Sequence, residues 1–186
     1  MIYFTADPHF AHDKDFLYGP RGFTNIADHD ACLIRNWNSI VNDDDVVYVL
    51  GDIMLKDNEA GIECWNQLRG MKKVIWGNHD STTKQELIAA CPNTEVLGYA
   101  TVIKAESHNF FLSHYPTLTA GFYGEDHRIQ NKLINLCGHT HTKDRFIDMD
   151  KGIIYHCEFD CHDNFPVSIE EVIRDLQDYT GKLFRE

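Results

Sequence analysis

The stretch Asp45-Val46-Val47-Tyr48-Val49-Leu50-Gly51-Asp52 decides the reading of the fold: a β-branched and aromatic run ended by Gly-Asp is a buried strand that opens into a polar turn. The same grammar precedes it at Ile2 to Ala6, closed by Asp7-Pro8-His9, and follows it at Lys73 to Trp76, closed by Gly77-Asn78-His79-Asp80. Between the first two strands, residues 10 to 27 read as loop. Leu33, Ile34, Trp37, Ile40 and Val41 then recur at helical spacing, with Asp28 or Asp30 as N-cap. Between the second and third, Asn58 caps a helix carrying Ile62, Trp65 and Leu68, and Gly70 stops it. Strand, helix, strand, helix, strand predicts right-handed parallel crossovers.

Beyond residue 94 the pattern changes. Glu95 to Val102, Phe110 to Ser113 and Ile134 to Cys137 read as strands with little helix between them, and Arg145 to Met149 with Ile153 to Phe159 flank a hairpin turn at Asp150-Lys151-Gly152. Ser168 followed by Glu171 is a capping box, and Val172, Ile173, Leu176 and Tyr179 give the last helix its apolar face.

With 186 residues, 43% hydrophobic and 25% charged, the chain suits a single domain over residues 1–186 that folds without a disulfide or metal staple. No apolar run reaches the roughly 18 residues that a membrane helix needs. The first residues lack the basic start of a signal peptide, so six scattered cysteines read as reduced and the expected location is cytoplasmic. Seventeen basic against 29 acidic residues leave a net charge of −12, which disfavours tight non-specific binding to nucleic acid. Eleven histidines beside this excess of carboxylates suit metal ligation.

Five polar signatures each follow a predicted strand: Asp7-Pro8-His9, Gly51-Asp52, Gly77-Asn78-His79-Asp80, Ser113-His114 and Gly138-His139-Thr140-His141. Each alone is an ordinary turn. Together, at the carboxyl ends of strands, they converge where α/β sheets bind ligands. Carboxylate, imidazole and amide oxygen make a mixed O/N set suited to Mn, Fe, Zn or Ni, and the absence of cysteine from it argues against a structural zinc. Two such cations sharing a carboxylate can hold a hydroxide between them and neutralise the oxygens of a phosphate.

In this order the five motifs resemble the calcineurin-like metallophosphoesterase superfamily, and Trp37-Asn38-Ser39 and Pro166-Val167-Ser168 resemble its small, cap-less bacterial and phage-type members. The resemblance implies an α/β four-layer sandwich, two mixed sheets packed face to face with helices outside. It implies that Asp7, His9 and His141 hold one metal, that Asn78, His114 and His139 hold a second, and that Asp52 bridges them. His79 would assist the leaving group and Asp80 would orient its imidazole. The implied activity is two-metal phosphoesterase hydrolysis of small phosphate esters, with phosphodiesters expected because few basic residues lie near the motifs in sequence. The alternative is a catalytically weak or inactive metal-binding scaffold of the same fold. The small residue usual between Asp and His in the first motif is Pro8 here. His12, Arg21, Tyr115 and Arg128 are candidate substrate contacts, because they lie in loops beside the motifs. His156 to His162 offers four soft ligands in seven residues, but strand alternation sends neighbours to opposite faces, against one shared ion.

Overall fold

The architecture comes from a computed structural model that describes residues 1–117, 132–147 and 152–183. Strand β1 (Ile2–Thr5) pairs in parallel with β2 (Val46–Leu50), β2 with β3 (Met71–Ile75), and β3 with β4 (Thr94–Gly98), while the two-residue β9 (Val167–Ser168) adds antiparallel to β1. The first sheet therefore has the order β4-β3-β2-β1-β9. The second, β5 (Ala100–Ala105), β6 (His108–Ser113), β7 (Leu133–Cys137) and β8 (Ile154–His156), is antiparallel at its first pair and parallel thereafter. Both sheets are mixed, as the resemblance implies.

Alternation along the strands builds two cores. Tyr3, Val47, Val49 and Val74 point to one side of the first sheet, where they meet Leu33, Trp37 and Val41 of α2 (Ile26–Ile40), Trp65 of α3 (Asn58–Asn66) and Ile88 of α4 (Thr82–Ala89). Phe4, Leu50 and Ile75 point to the other side and meet Phe110, Leu112, Ile134 and Leu136 of the second sheet. Val172 and Leu176 of α5 (Ile169–Leu183) close this inner core. Burying each such side chain contributes about 1.5–3 kcal/mol. Among the described residues no helix is long and apolar enough to cross a membrane.

Several boundaries differ from the sequence expectation. A short helix, α1 (Asp15–Tyr18), interrupts the expected loop and inserts Leu17 into the body of the protein. Helix α2 starts earlier, capped by Asn25, whose side chain accepts from the amide of Asp28 at 2.8 Å. Asp57 rather than Asn58 caps α3, accepting from Ala60 at 3.1 Å, and that helix ends at Asn66 with Gln67 as its C-cap, before Gly70. Helix α4 was not legible: it buries only Lys84 and Ile88 and so carries no apolar stripe. The expected strand from Glu95 to Val102 is two strands in two sheets, divided at Gly98, whose φ of +95° turns the chain from one to the other. Of the expected hairpin, Phe146 pairs antiparallel with Tyr155 through one bridge, whereas Met149 and the Asp150-Lys151 turn lie outside the described residues. The expected strand to Phe159 ends at His156 and gives way to a 3-10 turn over Phe159–Cys161. The capping box at Ser168 is formed, its hydroxyl oxygen accepting from Glu171 at 3.2 Å.

The β5–β6 connection yields a stability test. Ala105 pairs with His108, so Glu106 and Ser107 form a two-residue turn, and both have positive φ, +45° and +64°. Such turns favour Asn-Gly, and a non-glycine residue there costs about 1–2 kcal/mol. The double substitution Glu106→Asn, Ser107→Gly is expected to stabilise the protein by about 1 kcal/mol, read as a higher urea midpoint at unchanged slope.

Candidate metal centre

The parallel register carries past the ends of β1 and β2. The amide of Asp7 donates to Gly51 at 3.1 Å, His9 to Asp52 at 3.1 Å and Phe10 to Ile53 at 2.9 Å. In the second sheet Gly138 donates to His114 at 2.9 Å, which aligns the loops after β6 and β7 in the same way. The loops bend sharply: Asp7, His9, Asp52, His139 and His141 all lie in the left-handed region, with φ between +49° and +79°. Non-glycine residues pay about 1–3 kcal/mol each for such backbone, and clusters of them mark functional sites. Close approach is the second requirement. A Cβ at Gly77 would overlap the Asp52 carboxylate, and one at Gly138 would overlap that of Asp7.

These constraints bring Asp7, His9, Asp52, Asn78, His114, His139 and His141 together. Ligand atoms of Asp7, His9 and His141 lie within 4.8 Å of one another, as do those of Asp7, Asp52 and His114. His9 Nε2 is 3.6 Å from Asp7 Oδ1 and 3.6 Å from Asp52 Oδ2. Asp52 Oδ2 is also 3.5 Å from His114 Nε2, which lies 2.9 Å from Asn78 Oδ1 and 3.2 Å from His139 Nδ1.

The hydrogen bonds supply a test of whether a cation fits. His114 Nδ1 faces the carbonyl of Leu50 at 2.8 Å and must carry the proton, because a carbonyl only accepts. In the neutral ring Nε2 then holds a lone pair, aimed at the acceptor oxygens of Asn78 and Asp52. Asp7 Oδ1 and both ring nitrogens of His9 are buried without a partner among the described residues. Burial drives the pKa of His9 well below the ordinary value despite the Asp52 charge, and burial with His114 nearby lowers that of His139. Neutral imidazoles and carboxylates with converging lone pairs are a donor set that cations complete.

His141 is held from behind. Its Nδ1 lies 3.0 Å from Asp160 Oδ2, which also accepts from Arg21 Nη2 at 2.6 Å and Nε at 3.2 Å. Burial would lower His141, but the hydrogen bond to Asp160 and the charges of Asp7 and Asp160 outweigh it and raise its pKa. Burial would raise the Asp160 carboxyl, yet His141 and Arg21 hold it well below the usual carboxylate range. Arg21 Nη2 donates to the carbonyl of Asp7 at 2.7 Å, and its Nη1 sits 2.9 Å from His29 Nε2. His29 Nδ1 is 2.8 Å from Asp30 Oδ1, whose other oxygen accepts from the Ala11 amide at 2.9 Å. A buried polar chain thus runs from His141 back to the first motif. Nothing in the spacing of Arg21, His29, Asp30 and Asp160 pointed to it.

The remaining candidates separate. Arg21 is a buried brace and not a substrate contact, since its guanidinium is committed to Asp160 and the backbone. Asp80 does not orient His79: its carboxylate accepts from the amides of Gly77, Asp52 and Ile53 at 2.8, 2.9 and 3.1 Å, tying the second and third motifs together. The amide of His79 donates to Asp52 Oδ1 at 2.8 Å, and its ring, 46% exposed, has Nε2 3.9 Å from Asp52 Oδ2. His12 lines the cleft, and burial with His79 and Lys56 nearby pushes its pKa down to about 4. Tyr115 stacks edge-on against His114 and His139. Arg128 lies outside the described residues. In 156–162, His156 Nδ1 pairs with Glu158 at 3.0 Å and Cys161 faces backbone carbonyls. Glu158 Oε1 in turn accepts from the amide of Thr140, between the two loop histidines, at 3.2 Å.

Cutting one side of a buried ion pair costs about 3 kcal/mol, and losing the carboxylate behind a ligating histidine typically weakens metal binding 10- to 100-fold. Asp160→Asn is therefore expected to lower the urea-unfolding free energy by about that amount and Mn²⁺ affinity by about 10- to 100-fold, measured by calorimetric titration.

No family model matches the chain. Over 81 residues it is 42% identical to the uncharacterized protein MJ1445 of Methanocaldococcus jannaschii, covering 42% of this chain and 46% of the relative, so the match spans about half of that protein. The gene 66 protein of Mycobacterium phage D29 is 28% identical over 210 residues, covering 95% of this chain and 98% of the phage protein. Among solved structures, AQ665 of Aquifex aeolicus, a protein of unknown function, superposes with a TM-score of 0.72 at 21% identity, over 94% of this chain and 98% of that one. The chain is thus similar to the phage gene 66 protein over nearly its whole length and shares the fold of AQ665, two mixed sheets with a buried Asp/His cluster at their strand ends.

Proposed function

We propose that this protein is a metal-dependent phosphoesterase acting on small phosphodiesters. The observation that carries the reading is the convergence of Asp7, His9, Asp52, His114 and His141, lone pairs inward, next to a cleft of about 410 Å³ that His9, Asp52 and His141 line. Asp7, His9 and His141 would hold one divalent cation and Asn78, His114 and His139 a second, with Asp52 shared; Mn, Fe, Zn and Ni suit these donors. Such a pair supplies positive charge that activates water and neutralises phosphate oxygens in an in-line displacement.

The rest is the work of the chain. Asp52 is fixed through its own amide by Asp80, and it accepts from the amide of His79, so the shared carboxylate is tied to the backbone of the leaving-group histidine. The exposed imidazole of His79 faces the cleft, where it can give its proton to the departing ester oxygen as water adds to phosphorus. Lys84 donates to the carbonyl of His79 at 2.7 Å and steadies this turn.

The expectation of few nearby cations needs amending, because Lys14 and Lys56 line the cleft. Among the described residues the lining adds no further lysine or arginine to these two, which favours the single charge of a diester at the cluster over the two of a bare monoester. At fixed Mn²⁺, bis-nitrophenyl phosphate is expected to show a higher kcat/KM than nitrophenyl phosphate, with turnover abolished by chelator. A labelled single-stranded oligonucleotide should be a poor substrate, because a chain of net charge −12 repels it. A monoester preference, or efficient cleavage of the oligonucleotide at physiological salt, would refute the substrate class.

His79→Ala is expected to lower kcat by about 10²- to 10⁴-fold with Mn²⁺ affinity nearly unchanged, and the loss should shrink as the leaving group improves from alkyl to nitrophenyl. Equal losses on both esters would count against proton donation.

A further inference from the structure

The cleft extends well beyond the ligand cluster. A volume of about 410 Å³ is that of a site for a whole small molecule and exceeds the needs of one phosphate group. Past His9, Asp52, Asn78, His79, His139 and His141, its lining consists of His12, Lys14, Phe16, Leu17, Leu55 and Lys56. The fold does not require this wall to look as it does. Leu17 already anchors α1 at 5% exposure, yet the preceding Phe16 stands 69% exposed at the cleft, edge-on to His12 with ring centroids 5.8 Å apart. His12 is 6% exposed and its Nδ1 has no partner among the described residues, so a buried polar atom lies beside Phe16 open to a ligand. Among the described residues neither Lys14 nor Lys56 has a carboxylate partner, in a chain with 29 acidic and 17 basic residues.

The backbone of the wall is hydrogen-bonded to the loops that carry the cluster. Phe10 and Met54 form a parallel bridge, the amide of Leu55 donates to Phe10 at 3.1 Å, and that of Lys14 donates to His12 at 2.7 Å. Two ammonium groups without a carboxylate partner among the described residues, beside an exposed aromatic ring, match a ligand that joins a planar ring to a negative charge. Stacking on Phe16 would hold the ring, and the lysines would hold the anion.

Resting on the phosphodiesterase reading above, we propose that Lys14, Phe16 and Lys56 form a subsite for one arm of the substrate, and that this arm carries a planar base and a further phosphate, as in a nucleotide diester. Lys14 and Lys56 decide for the extra phosphate and Phe16 for the base.

Three chromogenic diesters that all release nitrophenol test this: methyl nitrophenyl phosphate, the nitrophenyl ester of thymidine 5′-phosphate, and the same ester bearing a 3′-phosphate. With Mn²⁺, the nucleoside arm is expected to raise kcat/KM about tenfold over methyl, and the 3′-phosphate to raise it about fivefold more, the second gain disappearing at high salt. Phe16→Ala should remove most of the first ratio. Lys14→Met with Lys56→Met should remove the second and leave the first. All three residues are exposed, so the variants are expected to fold, checked by circular dichroism. Ratios near one in the wild type, or ratios that the substitutions do not move, would overturn the subsite while methyl nitrophenyl phosphate is still hydrolysed. Failure to hydrolyse any of the three with Mn²⁺ would overturn the phosphodiesterase reading together with it.

Discussion

Lone pairs of Asp7, His9, Asp52, Asn78 and His114 converge on one volume, with no partner among the described residues for Asp7 Oδ1 or the His9 ring nitrogens, and the rest of the structure depends on holding them there. Packed this way, the oxygens and neutral ring nitrogens repel one another. Their approach is stable only when the backbone imposes it and positive charge relieves it. Each supporting feature around the centre can be understood as a response to that repulsion.

The backbone response is strain with compensation. Left-handed φ at five of the converging residues turns their side chains into one volume, and glycine at 77 and 138 leaves room for the carboxylates of Asp52 and Asp7. Against the strain stand the hydrogen bonds that continue the β1–β2 pairing beyond both strands, and Asp80, whose carboxylate satisfies three amides at once. The electrostatic response lies one layer out. Arg21 brings a buried positive charge to the back of the first motif, and Asp160 balances it while turning His141 toward Asp7. Glu158 reaches the same loop from the other side, and its backbone pairs with Ala6 just ahead of Asp7.

The charge distribution divides the molecule. Net charge is strongly negative overall, yet the part of the cleft lining that continues from the Asp7 and Asp52 loops presents two lysines and an exposed phenylalanine. Long-range repulsion of polyanions and short-range capture of a small anion are compatible, because screening confines the first to roughly a Debye length while the second acts on contact.

Strand runs ending in Gly-Asp or Gly-Asn-His-Asp revealed the sheet-end site, because period and turn chemistry are local and the parallel βαβ rule converts them into convergence. Amphipathic spacing likewise disclosed α2, α3 and α5. Helix α4 escaped because Thr82 to Ala89 has no apolar stripe, and it meets the core through Ile88. The division of Glu95 to Val102 between two sheets was hidden because both halves have strand propensity, and only the second sheet's pairing decides where the chain turns. Asp80 was given the wrong partner, because sequence adjacency to His79 says nothing of three amides reached through the fold. What the sequence by itself determined was the chemistry available at each strand end. Only the tertiary structure decided which groups support it, because Arg21 and Asp160, 139 residues apart, meet through long-range packing that leaves no local periodicity to read.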